Sequence, residues 1–210
     1  MHDSQFINYV TQWYKTLTTK DSKAFNFAQS MLNVSSSPEE AAERTKHDIV
    51  SNAAKSGFID NILGPLPSIK DIYTTKIPFL KINAVNESAY YSIGWQMYGI
   101  ISIAKIFNVD NFNTTKAHTL CIGCLEKDLL EQSLSIHNLD ISDYFYPPEV
   151  YVTICNLIGN YLNNYYSMSK IKNMAKYIPL HGGIAGAIDN KKSSEKACTA
   201  ALNVFKKFNK

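Results

Sequence analysis

The side chains best suited to chemistry gather at two places, His118-x-x-Cys121-x-x-Cys124 and His181-Gly182-Gly183. Cysteines and a histidine at this spacing suit either a metal ion or a redox dithiol. A redox pair wants its first cysteine at a helix N-terminus, where the dipole lowers the thiol pKa. Here the pair is expected inside a helix that comes after a loop. A structural zinc site needs four ligands. One helix cannot wrap a tetrahedron, so Cys155 or Cys198 would have to arrive from elsewhere. The third role open to Cys121 and Cys124 is that of small apolar groups in a helical core.

His181-Gly182-Gly183 has the form of an esterase oxyanion loop, but no G-x-S-x-G nucleophile elbow stands anywhere in the chain. A dinucleotide loop fails as well, because His181 occupies the first glycine of G-x-G-x-x-G. His2, His47 and His137 show no H-E-x-x-H spacing. Glu39, Glu40 and Glu43 sit at a helix start, where carboxylates favour the dipole. Asp140, Asp143, Tyr144 and Tyr146 either line a cleft or form a solvated loop. The expectation is a chain without catalytic residues or cofactor, with His118, Cys121 and Cys124 the weak candidates for a metal.

The elements that position these groups read as helices. Phe6, Val10, Trp13 and Leu17 space a first helix, and Asp21 can cap a second. Ser37-Pro38-Glu39-Glu40 is a start signal: a serine cap, proline at the first helical position, and a glutamate to close the capping box. That helix is expected to stop at Gly57, with further breaks at Gly64-Pro65-Leu66-Pro67 and at Pro78. Residues 88–104 are 17 residues without charge. A bilayer span wants about 20 mostly apolar residues, so a buried core helix is expected, with Ser88, Ser92, Gln96, Gly99 and Ser102 on one side. A helix from Ala117 to Leu130 comes next. Val150, Ile154, Leu157, Ile158, Tyr161, Leu162 and Tyr165 make an amphipathic stripe. A final helix, capped near Ser193, carries Ala197, Ala201, Val204 and Phe208.

Composition restricts the partners. The 210 residues are 45% hydrophobic, enough to bury a core, and 19% charged, against about 25% in typical domains. Arg44 is the only arginine beside 20 lysines, so the chain cannot assemble guanidinium clamps on phosphate. This weighs against nucleic-acid recognition and phosphoryl transfer. Residues 169–210 hold nine lysines against Asp189 and Glu195, a net of +7, which leaves −4 on the remainder. Lys191, Lys192, Lys206 and Lys207, interleaved with Phe205 and Phe208, suit an anionic membrane surface or a membrane protein. A solvated lysine face is the plainer reading. The N-terminus lacks a secretory leader's pattern, so a cytoplasmic chain with reduced thiols is expected, peripheral at a membrane at most.

Two stretches together resemble a known family. Residues 84–124 contain an uncharged helical run, Ala104-Lys-Ile-Phe-Asn-Val-Asp110, and a helix through Leu120 to Leu125. Residues 177–208 contain Tyr-Ile-Pro-Leu-His-Gly-Gly-Ile-Ala-Gly-Ala-Ile-Asp and then a small-residue helix ending in an aromatic. In this order they resemble the EcsC family, with its apolar helix, IA-x-x-[YF]-G-x-D turn and late P-x-x-G-G-x-x-G-x-x-[ND] segment. Ile103, Ala104 and Asp110 fall on the turn. Pro179, Gly182, Gly183, Gly186 and Asp189 fall on the glycine segment. Asn108 stands at the turn's glycine, and asparagine also tolerates the left-handed conformation. The resemblance implies association with membrane transport machinery, without an established activity.

Gly182 and Gly186 form a G-x-x-x-G pair that clears one helical face for close approach. Together with Gly183 they are expected to seat against the small face of the 88–104 helix at Gly99. The sequence thus predicts a single all-α domain over 1–210, a bundle of seven to nine helices with a glycine-rich packing segment. The expected function is that of a non-catalytic, membrane-associated accessory or interaction protein of a transport or secretion system. The alternative is a soluble module enclosing a hydrophobic small molecule, such as a lipid, between the 88–104 and 150–166 helices.

Overall fold

The computed structural model describes the backbone over residues 5–63, 84–172 and 179–208, and the side chains over 5–56, 89–166 and 187–208. Among the described residues the fold is all-α. Its eight helices are α1 (Gln5–Leu17), α2 (Lys23–Asn33), α3 (Pro38–Leu63), α4 (Ala84–Ile106), α5 (Thr115–Gly123), α6 (Lys127–Ile136), α7 (Pro148–Lys172) and α8 (Pro179–Phe208). The breaks expected at Gly64–Pro67 and Pro78 lie outside the described residues.

Helix α4 is the axis of the bundle. Tyr90, Ile93, Met97, Ile100, Ile101, Ile103 and Ala104 are all buried, and over residues 89–104 only Trp95 and Tyr98 are partly exposed, so this stretch lies in the core. It packs against α1, α2, α3, α5 and α8. Helices α5 and α6 pack on α7, and α1 touches both α4 and α7. The expected small face of α4 is divided among its neighbours. Ser92 and Gln96 share hydrogen bonds with the Tyr166 hydroxyl of α7, and Ser102 Oγ donates to Ala24 O of α2 at 3.3 Å. A Cβ on Gly99 would collide with Cys198 Sγ of α8 and stand 3.1 Å from Ile49 Cγ2 of α3.

The space between α4 and α7, expected to enclose a hydrophobic ligand, receives the rings of α1. Phe6 stacks on Tyr166 at 5.0 Å between centroids, and Tyr9 meets Tyr90 edge-on at 5.2 Å.

Several boundaries correct the sequence reading. Ser22, not Asp21, caps α2, its Oγ accepting from Phe25 N at 3.2 Å. Ser37 caps α3 as expected, accepting from Glu40 N at 3.2 Å, while the Glu40 carboxylate reaches past the cap to Ser36 N at 2.8 Å. Helix α3 continues through Gly57 to Leu63. The single helix expected over Ala117–Leu130 is two, α5 and α6, parted at Cys124–Glu126. Helix α8 starts at Pro179, and Ser193 lies inside it with its hydroxyl bonded back to Asp189 O at 2.9 Å. Gly182, Gly183 and Gly186 therefore belong to the first turns of α8, but their packing lies outside the described side chains.

Candidate interaction face

From residue 187 on, the residues of α8 separate by face. Ala197, Cys198, Ala201, Val204 and Phe205 point into the core, while Lys191, Lys192, Lys206 and Lys207 are exposed. Phe205 is 0% exposed, which corrects its expected role as a surface contact: it shares the inward stripe with Ala201 one turn before it. Phe208 is half-buried. The four lysines fall into two pairs, about 22 Å apart along the axis at 1.5 Å per residue.

Each pair has different surroundings. Lys191 lines a groove of about 620 Å³ between α3 and α8, with Val50 and Ala54 on its wall and Lys46, Lys55, Glu43 and Glu195 around it. Within it Lys46 Nζ pairs with Glu43 Oε2 at 2.5 Å. Lys206 and Lys207 sit at the other end, where the start of α5 and the loop between α6 and α7 meet the end of α8. There Lys116 Nζ stands over the Phe208 ring at 4.8 Å and the Tyr146 ring at 5.6 Å. Burial against these rings lowers the Lys116 pKa, with Asp143 opposing that shift.

The α6–α7 loop is tightly braced. Asn138 takes a left-handed φ of 52° and ends α6. Asp140 Oδ1 accepts from both N and Oγ of Ser142 at 3.0 Å, and Asp143 Oδ2 accepts from Asp140 N at 2.7 Å. These Ser142 bonds, aided by Lys207, hold the Asp140 carboxyl below its usual range. Tyr146 is 1% exposed and its hydroxyl donates to Asp140 O at 3.0 Å. The two residues before it turn outward: Tyr144 is 98% exposed and Phe145 68%. His137 Nε2 and Thr153 Oγ1 lie 3.0 Å apart, tying the loop to α7. Sequence reasoning marked the loop with Tyr144 and Tyr146 but not Phe145, and Lys116 carried no local signal.

The cysteines of the His118-x-x-Cys121-x-x-Cys124 run are enclosed and His118 is half-buried, while the side chains of His181-Gly182-Gly183 lie outside those described. Cys121 and Cys124 are 0% exposed, and burial pushes both thiols well above their ordinary pKa. Cys198 is raised to about 12 by the same cause. The His118 ring lies edge-on to Tyr14 at 4.2 Å and beside Tyr151 at 5.5 Å, and burial followed by Lys15 lowers its pKa. Among the described residues no group of three or more His, Cys, Asp or Glu could hold a metal ion. Buried on every side, Cys121 and Cys124 pack α5 and its C-terminal end against the neighbouring helices. Nor, among the described residues, is any helix long and apolar enough to cross a membrane.

Among the described residues one buried carboxylate went unforeseen. Glu126, where the α5 and α6 helices part, has a side chain only 6% exposed, bonded to Lys196 Nζ of α8 at 2.5 Å and to the Tyr161 hydroxyl of α7. It joins three elements. No protein family, curated protein or solved structure is found to match the chain.

Proposed function

We propose that the protein is a non-catalytic accessory or interaction protein working at an anionic membrane surface, which it meets through α8. One observation carries the reading: Lys191, Lys192, Lys206 and Lys207 are exposed while Ala197, Cys198, Ala201, Val204 and Phe205 of the same helix are buried. At these four positions the charge of the C-terminal third is thus open to an outside anion. Its chemistry fits a diffuse surface better than a single phosphate, because lysine acts as a mobile point charge and not as a bidentate fork. The only arginine, Arg44, is engaged by Glu40 Oε1 at 2.8 Å. Resemblance to the EcsC family, with its membrane transport association, points the same way.

Magnitude shapes the proposal. Lysines near an anionic bilayer contribute about 1 kcal/mol each, so four give about 4 kcal/mol, an affinity near millimolar. Such contact is salt-sensitive, since screening acts over about 8 Å at physiological ionic strength. Co-sedimentation with phosphatidylserine-containing vesicles at low salt, lost at high salt, is the expected result. No binding at either salt would remove the reading.

The α3–α8 groove favours a second reading, a small amphipathic anion held with its apolar part on Val50 and Ala54 and its charge on Lys55 and Lys191. Native mass spectrometry showing a co-purified lipid, with no vesicle binding, would support this one instead.

A further inference from the structure

We infer that Tyr144 and Phe145 are the anchor of this membrane contact: the two rings enter the headgroup region of an anionic bilayer while Lys116, Lys206 and Lys207 meet lipid phosphates beside them. The inference rests on the membrane reading above and adds the element that lysines alone do not supply, since stable surface attachment takes an apolar signal as well as a basic one.

Three observations converge on it. First, the outward rings are not surplus to a crowded core. In the run Tyr144-Phe145-Tyr146 the third ring is almost fully buried, whereas the first two are 98% and 68% exposed. Second, the loop is already ordered by Asp140, Ser142, Asp143 and the Tyr146 hydroxyl, so presenting the rings needs little further loss of conformational freedom. Third, cations stand beside the loop. Lys116 lies over the Tyr146 and Phe208 rings, and Lys207 is close enough to Asp140 to lower its pKa. The acids here, Asp140 and Asp143, each commit an oxygen to a backbone N–H of the loop.

Lipid is the occupant that these features fit. Tyrosine with flanking lysines concentrates at the membrane–water boundary, its ring on the apolar side and its hydroxyl toward water, and a neighbouring phenylalanine adds apolar area to bury. A stable protein partner would need about 800 Å² from each side, far more than two rings on a loop tip offer.

The test uses the full chain with Tyr144→Trp, and vesicles of equal parts phosphatidylcholine and phosphatidylserine against phosphatidylcholine alone. The indole emission that this variant gains over the wild type should shift to the blue and be quenched by brominated lipid only on the anionic vesicles. The double variant Tyr144→Ser/Phe145→Ser, at unchanged far-ultraviolet dichroism and melting temperature, should bind these vesicles about tenfold more weakly or less. Co-sedimentation with the introduced indole still fully hydrated would overturn the anchor and leave the membrane reading standing. Wild-type protein that ignores both vesicles would overturn the two together. A dimer in solution that the double variant abolishes would overturn the anchor in favour of a second copy of this chain.

Discussion

The indole of Trp13 occupies the place that a side chain on Gly94 would need. A Cβ there would stand 2.7 Å from both Cε2 and Cζ2 of the ring. The ring is fixed: its Nε1 donates to Tyr90 O at 3.0 Å, and the Tyr90 ring lies 4.9 Å away. Replacing helical glycine by alanine gains about 1 kcal/mol in propensity, while overpacking a tight core costs about 1–3 kcal/mol. Gly94→Ala should therefore lose up to about 2 kcal/mol. At Gly99 the obstacle includes the Cys198 thiol, which can turn about one bond, so Gly99→Ala should lose less. Urea unfolding checks both, and Cys198→Ala should restore Gly99→Ala without helping Gly94→Ala. Equal losses, or rescue of both, would contradict this account.

The pair Lys196–Glu126 is unequal in burial, with side chains 54% and 6% exposed. Lys196→Met strands a carboxylate in the interior with only the Tyr161 hydroxyl to meet it, at a cost of about 3–5 kcal/mol. Glu126→Gln keeps a hydrogen-bonding group in place and frees Lys196 to turn toward water, so it should cost less than about 1 kcal/mol. Thermal unfolding of the two variants should show this order. The reverse order would mean that Lys196 contributes by packing and not by charge.

Asparagine ends two helices in the same manner. Asn108 (φ 58°) and Asn138 (φ 52°) are left-handed, and the residues after them, Val109 and Leu139, donate back to Ala104 O at 3.1 Å and Leu134 O at 2.9 Å. An L side chain without asparagine's local hydrogen bonding costs about 1–2 kcal/mol in this conformation. Asn108→Ala and Asn138→Ala should each destabilise by that amount, with the glycine variants equal to wild type or better. Alanine and glycine giving the same unfolding midpoint would argue against the geometry.

What the sequence made legible was local. The stripe Phe6, Val10, Trp13, Leu17 and the Ser37-Pro38 start each act within a turn or two, and both lie where expected. Gly57 misled because its low helix propensity, about 1 kcal/mol, is small beside what tertiary packing supplies, and Ser193 misled because a serine that can cap a helix can also sit inside one, bonded back to Asp189 O. The break before α6 was hidden because it involves Lys196, 70 residues away from Glu126. The candidate face divides likewise. Lysine excess is visible in composition, but Phe205 and Phe208 look alike in sequence and only one is enclosed. That Tyr144 and Phe145 face out while Tyr146 turns in depends on Lys116, Phe208 and the Asp140 carbonyl, which no local pattern brings together.

Thiol chemistry gives a separate test of the metal and redox readings. Cys121, Cys124 and Cys198 are buried, and Cys155 is partly exposed with its thiol pKa also raised by burial. In native protein near neutral pH a disulfide reagent should react slowly with Cys155 and spare the other three until unfolding, when all four become reactive. Zinc should neither protect any thiol nor raise the melting temperature. Rapid reaction at Cys121 or Cys124, or stabilisation by zinc, would reinstate the cluster as a working site.

Acid should expose the start of α3. Hydrogen bonds from Ser36, foremost, and then from Arg44 lower the Glu40 pKa from its ordinary 4.5 to about 2. A carboxylate with a depressed folded-state pKa contributes stability that is complete above 4.5 and disappears as the pH falls through about 2. Glu40→Gln cannot make that contribution at any pH. The difference in urea midpoint between wild type and Glu40→Gln should therefore be constant above 4.5 and shrink steadily from there to about 2. Only the Arg44 share is a charge pair at the surface, so added salt should reduce the difference in part and leave the Ser36 share. A difference that stays constant across this acid range would show that Glu40 holds the helix start without its charge.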